Sequence, residues 1–201
     1  MNKKLSVGIV SLIVILVAGS LLLVWGISTY NRIVTLDEQV KSSWSQVESQ
    51  YQRRYDLIPN LVETVKGFAR QEREVLENVT NARARVGQLN VSPQVLTDPQ
   101  AFSQFQQAQD GLSSALSRLL AVVENYPTLK SNENFLQLQS QLEGTENRIT
   151  VARNRFNEAV QGYNTMIRRF PGSLIAGMTG FGEGQYFQAR EGAEEAPAVR
   201  F

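Results

Sequence analysis

Two hydrophobic patterns divide the chain. From Leu5 to Ile27 no side chain is charged, and only Ser6, Ser11 and Ser20 are polar. That run of ~23 residues makes about 35 Å of helix, enough to cross a bilayer. It is long for the apolar region of a cleaved signal peptide. It also continues through LLLVWG past Ala18-Gly19-Ser20, which favours an uncleaved signal anchor. Beyond Leu36 the pattern changes. Apolar and aromatic residues recur at Leu36, Val40, Trp44, Val47, Tyr51, Tyr55, Ile58, Val62, Val65, Ala69, Leu76, Val79 and Val86, in steps of three, four and their sums. This is the helical period, and it predicts an element reaching roughly 75 Å. Pro59 lies within it, lacking the N–H that would bond the carbonyl of Tyr55, so a kink or break is expected at Asp56 to Pro59. Because the stripe keeps its register through the proline and no glycine supplies a turn, a kinked, nearly continuous helix is the preferred reading over a hairpin.

The stretch Gly87 to Pro99 contains turn formers and closes on Asp98-Pro99, a helix cap followed by proline at the first helical position. The next stripe runs Phe102, Phe105, Gln109, Leu112, Leu116, Leu119, Val123, Tyr126 and stops at Pro127. Ser131 or Asn132 can cap a third helix, with Phe135, Leu138, Leu142, Ile149, Phe156, Val160, Tyr163, Ile167 and Phe170 on its buried face, ended by Pro171-Gly172. The fold class is therefore all-α: a transmembrane helix followed by an antiparallel up-and-down bundle of long helices with knobs-into-holes packing. There are three helices, or four if the first breaks near Pro59. With a continuous first helix, the second returns only about halfway, leaving the face of Trp44, Tyr51 and Tyr55 without a full partner in the chain. From Ser173 on, glycines at 177, 180, 182, 184 and 192 exclude a long helix, and the interleaved Phe181, Tyr186 and Phe187 argue against a solvated tail. The chain thus divides into a flank at 1–4, a signal anchor at 5–27, a helical bundle domain at 28–170 and a glycine and aromatic tail at 171–201.

Composition narrows the chemistry. The 201 residues include no histidine and no cysteine, which removes the commonest general base, the usual zinc ligands and any disulfide framework. Apart from Lys3 and Lys4 the chain has 18 basic and 19 acidic side chains, a poor balance for binding nucleic acid. Lys3 and Lys4 precede the anchor, while Arg32 and Lys41 follow it among Asp37 and Glu38. That slight bias leans towards a cytoplasmic N-terminus and an extracytoplasmic domain. Trp25 and Tyr30 stand where interfacial aromatics belong.

Longer segments carry a resemblance. YNRIVTLDEQVKSSWSQVESQYQRRYDLIPNLVETVKGFA, ENVTNARA, ENYPTLKSNENFLQLQSQLEGTENRITVARNRFNEAVQGYNTMIRRFPG and the ending APAVRF are similar to the LemA family, with RRYDLIPNLVETVKG and TENRI as its specific signatures. The resemblance implies a bacterial single-pass membrane protein with a helical bundle and no established enzymatic activity or ligand, placed in the cytoplasmic (inner) membrane. The function expected is a membrane-anchored interaction or scaffold protein of the cell envelope. It is non-catalytic and without cofactor or metal, self-associating or bound to another membrane protein, and held in the lipid bilayer by residues 5–27. Its candidate contact residues are Trp44, Tyr51, Arg53, Arg54, Tyr55, Asp56, Asn60, Tyr186, Phe187 and Phe201. Arg53, Arg54 and Asp56 have a plainer role open to them, satisfying backbone groups freed by Pro59, and Asn147 and Arg148 can bond across the bundle. The alternatives are a metal protein or enzyme using carboxylates alone, with Glu143 and Glu146 on one helix face and Glu72, Glu74 and Glu77 near in sequence, or an envelope sensor acting through a membrane partner.

Overall fold

The two patterns of the sequence share one element. In the computed structural model, which describes residues 3–69, 71–89 and 93–188, helix α1 (Lys3–Phe68) carries both the apolar run and the first amphipathic stripe over 66 residues, about 100 Å. The side chains from Ser11 to Trp25 are exposed, and the helix is long and apolar enough there to cross a membrane. Pro59 lies inside α1 on an exposed face, and the helix passes through it.

The first helix does not reach Val86. The chain reverses between the end of α1 and the start of α2 (Arg73–Gly87), which returns beside α1 until Gly87 lies against the Tyr55 hydroxyl. The expected element is therefore two, and the break lies beyond Pro59 rather than at it. Its physical cause is tertiary. Ile58, Leu61, Val65 and Ala69 of α1 and Leu76 and Val79 of α2 pack into one cluster, so both arms of the hairpin keep the same apolar stripe. A three–four repeat cannot distinguish a long helix from two helices facing one core.

Helix α3 (Pro99–Val123) is capped by Asp98, whose carboxylate accepts from the amides of Gln100 at 2.8 Å and Ala101 at 3.2 Å. It packs along α2 and faces α1 across the core, with Phe102 against Trp44 and Ser113 against Arg54. A single turn, α4 (Pro127–Lys130), leads to α5 (Glu133–Arg168), capped by Asn132. Helix α5 descends about 54 Å, passing Arg54 at Glu146, Trp44 at Phe156 and Leu36 at Gly162. Together α1, α2, α3 and α5 make an up-down-up-down bundle of four.

Gly172 follows the α5 terminus where no side chain fits, because a Cβ there would run into the backbone carbonyl of Met166. It opens α6 (Gly172–Thr179), which Gly180 ends in the left-handed conformation at φ 79°. Residues 181–188 then turn back along the bundle and cover the aromatic side of the core. Trp44 is consequently only 4% exposed, Tyr51 is buried and Tyr55 half-buried. The expected unpartnered face is closed within the chain, because α1 ends early enough for α3 to reach it and the tail completes it.

Candidate functional site

Arg54 is the deepest charge in the bundle, 1% exposed, on the α1 face that otherwise carries Tyr51 and Ile58. An isolated buried guanidinium would be costly, so its surroundings must supply acceptors. Its Nη1 donates to Ser113 Oγ at 2.6 Å and to Glu146 Oε1 at 2.8 Å. Its Nη2 donates to the Gln109 side-chain oxygen and to the Gln109 carbonyl at 3.2 Å. Nε has no hydrogen-bond partner among the described residues. One residue from α1, two from α3 and one from α5 thus form a polar layer at a single height. Above it lies an aliphatic cluster and below it an aromatic one. Glu146, with its side chain 37% exposed, links the layer to solvent.

Below the layer, Trp44 stands within 5.2–6.1 Å of the rings of Phe102, Phe105, Phe156 and Phe187. Phe187 comes from the tail, and side-chain amides hold the tail in place. Asn164 pairs with Gly184 in both directions at 2.9 Å, and Asn157 does the same with Phe187 at 3.0 Å. Gln106 exchanges bonds of 3.0 and 3.2 Å with Gln188. Each amide supplies one donor and one acceptor, as a neighbouring β-strand would. The spacing fits: two helical turns from Asn157 to Asn164 cover about 10.5 Å, and three residues of extended chain cover about 10 Å. Arg153 adds a bond to the Gln188 carbonyl and lies 4.5 Å over the Phe187 ring. The Tyr163 hydroxyl donates to the Gly182 carbonyl at 2.9 Å, and burial pushes its pKa up to about 12.

The family model described as the LemA family matches residues 43–201, from just before Trp44 through the tail. The chain belongs to the LemA family. It is similar to magnetosome protein MamQ 2 of Paramagnetospirillum magneticum (strain ATCC 700264 / AMB-1), at 29% identity over 186 residues, covering 85% of this chain and 68% of that protein. Magnetosome protein MamQ of Magnetospirillum gryphiswaldense (strain DSM 6361 / JCM 21280 / NBRC 15271 / MSR-1) gives the same identity and coverage. Protein LemA of Metamycoplasma hominis (strain ATCC 23114 / DSM 25592 / NBRC 14850 / NCTC 10111 / PG21) is 21% identical over 161 residues, covering 80% of this chain and 69% of that protein.

In this LemA-family chain the residues singled out from sequence separate into three groups. Trp44, Tyr51, Arg54 and Phe187 are interior. Arg53, Asp56, Asn60 and Tyr186 are exposed, with Asp56 accepting from Gln52 at 2.8 Å, and Tyr55 lies between the two groups. Phe201 lies outside the described residues. The carbonyl of Tyr55, freed by Pro59, is taken by none of Arg53, Arg54 or Asp56. Arg83 of α2 donates to it at 3.3 Å while its guanidinium stacks 3.8 Å from the centre of the Tyr55 ring. Asn147 and Arg148 do not cross the bundle; their neighbour Glu146 does. They line an open groove of about 690 Å³ between α1 and α5, opposite Ser45, Gln46 and Ser49. Three of the five carboxylates considered as ligands have separate partners: Glu72 accepts from Tyr126, Glu143 from Gln139 and Glu146 from Arg54.

Sequence reasoning missed Asn157, Asn164, Gln106 and Arg83. A signal for the first two was present. They sit seven residues apart, each one position after an aromatic of the buried stripe, so their amides flank the core on one side.

Proposed function

We propose that this chain is a membrane-anchored, non-catalytic scaffold of the bacterial envelope, whose bundle binds further copies of itself in the cytoplasmic membrane. The observation that carries the reading is the continuity of α1, which passes from the apolar run into the centre of the bundle without a linker. A bundle so mounted transmits position and force from its contacts to the bilayer, as a scaffold requires. The lysines at 3 and 4 support an extracytoplasmic domain. The groove between α1 and α5 supports self-association. It is open, its lining surface is more apolar than polar, Val151 is half exposed in it, and the buried side-chain oxygen of Gln50 at its wall has no hydrogen-bond partner among the described residues.

The test is the mass of the full-length protein in lipid nanodiscs, alone and as Arg148→Glu. A defined oligomer that Arg148→Glu dissociates supports the proposal. A strict monomer in both samples overturns self-association and leaves the anchor with a different partner.

A further inference from the structure

The anchor end of the bundle carries an uncharged apolar stripe that the packing leaves open. Phe170 is 76% exposed, Leu174 57% and Met178 77%, each four residues from the next. No residue from Phe170 to Gly182 is charged. The opposite face of α6 is packed, with Gly172 and Ala176 buried and Ile175 against the core. Single exposed apolar side chains are ordinary. Here three are aligned, and their height on the molecule is fixed. The Phe170 ring lies 5.7 Å from Trp25, in the last turn of the apolar run, and the Phe181 ring lies 6.0 Å from Tyr30. Charge begins immediately on the domain side, with exposed Arg32, Arg168 and Arg169, and with Glu183 3.7 Å from Arg168.

We propose that α6 together with Phe170 is a second membrane contact, lying in the interfacial layer of the leaflet that Trp25 enters. The inference rests on α1 spanning the bilayer. An anchor that spans up to Ile27 carries Phe170 to the hydrocarbon boundary, because the two are in contact through Trp25. An uncharged stripe backed by arginines at headgroup height matches that layer: apolar side chains enter the acyl boundary and guanidinium groups meet phosphates. The consequence is orientational. A single helix leaves the bundle free to rotate and tilt about its axis. A second contact beside it fixes one face of the bundle towards the lipid and the α1–α5 groove at a set angle.

The chain has no cysteine, so single-cysteine nitroxide labels read depth directly. The full-length protein is reconstituted in phosphatidylcholine–phosphatidylglycerol vesicles as Leu16→Cys in the anchor, Leu174→Cys and Met178→Cys in α6, and Ser131→Cys at the far end. Accessibility to oxygen is then compared with accessibility to a water-soluble nickel chelate. The expected result is an oxygen-to-nickel ratio at Leu174 and Met178 several-fold above that at Ser131 and approaching that at Leu16. Water-like ratios at Leu174 and Met178 with a lipid-like ratio at Leu16 overturn this inference alone. A water-like ratio at Leu16 overturns the anchor reading on which it rests. All four sites are exposed, so labelling leaves the melting curve unchanged.

Discussion

The halves of the bundle on either side of Arg54 solve one packing problem in different ways. The far half is mainly aliphatic, with Phe135 its one fully buried ring among the described residues. Ile58, Leu61, Val65, Val79, Leu112, Leu116, Leu119 and Leu142 come from four helices, so the wall around them is built of helical backbone. The near half is aromatic, with Trp44 surrounded by four phenylalanines, and its wall includes residues 181–188, which form no helix. A non-helical segment brings unpaired N–H and C=O groups to a buried surface. The near half therefore needs Asn157, Asn164 and Gln106 to pair a whole segment, whereas Arg83 answers one carbonyl, that of Tyr55, on the far side of Arg54. Large flat rings also suit the near half, since they close the wider gap left when an extended segment replaces a helix. Helical cores are built by side-chain size alone; a core closed by a tail needs side chains that read backbone.

The contrast can be broken most severely at Trp44. Trp44→Ala should lower stability by about 3–5 kcal/mol and release the tail to protease near Phe187. Leu119→Ala in the far half should cost about 2–5 kcal/mol while leaving the tail protected. Chemical denaturation with limited proteolysis reads both effects.

The boundary between the halves comes next. Glu146→Ala leaves Arg54 buried without its counter-charge and should cost about 3 kcal/mol, the lower end for a buried pair because Glu146 is partly exposed. Arg54→Met, which removes the charge itself and keeps most of the volume, should cost less. The reverse order in thermal denaturation would show that packing, not charge, sets the layer.

The smallest effect is alkaline. Tyr163 titrates near about 10 in an unfolded chain, and burial, assisted by Asp37 and opposed by Lys41, raises it to about 12 in the fold. The folded state holds the proton more tightly. Its contribution is complete below about pH 10 and is lost as pH rises through the folded value. Tyr163→Phe should flatten the fall in melting temperature over that range, and an unchanged slope would assign the alkaline loss elsewhere.

The helical faces of both halves were legible in sequence; the reversal in the far half and the tail that closes the near half were not. Apolar steps of three and four gave the faces of α3 and α5, and Asp98-Pro99 and Asn132 gave their starts, because these signals are local. The reversal between α1 and α2 was hidden, since GFARQER holds one glycine among helix formers and the stripe runs through it unchanged. Gln109 was visible as a polar member of the second stripe, but its partner Arg54 is remote in sequence and was read as a contact residue. The tail was legible only as aromatic and glycine-rich. The Asn157–Phe187 and Asn164–Gly184 pairings depend on a register between helix and tail that neither segment states alone.

The most direct measurement is amide hydrogen exchange at Gly184 and Phe187 in the full-length protein and in Asn157→Ala. A near half closed by the tail predicts that both amides exchange far more slowly than those of a free segment. Asn157→Ala should abolish protection at Phe187 and leave α2 and the far half of α3 unchanged. Exchange at free-segment rates at both amides in the unaltered protein would contradict the account.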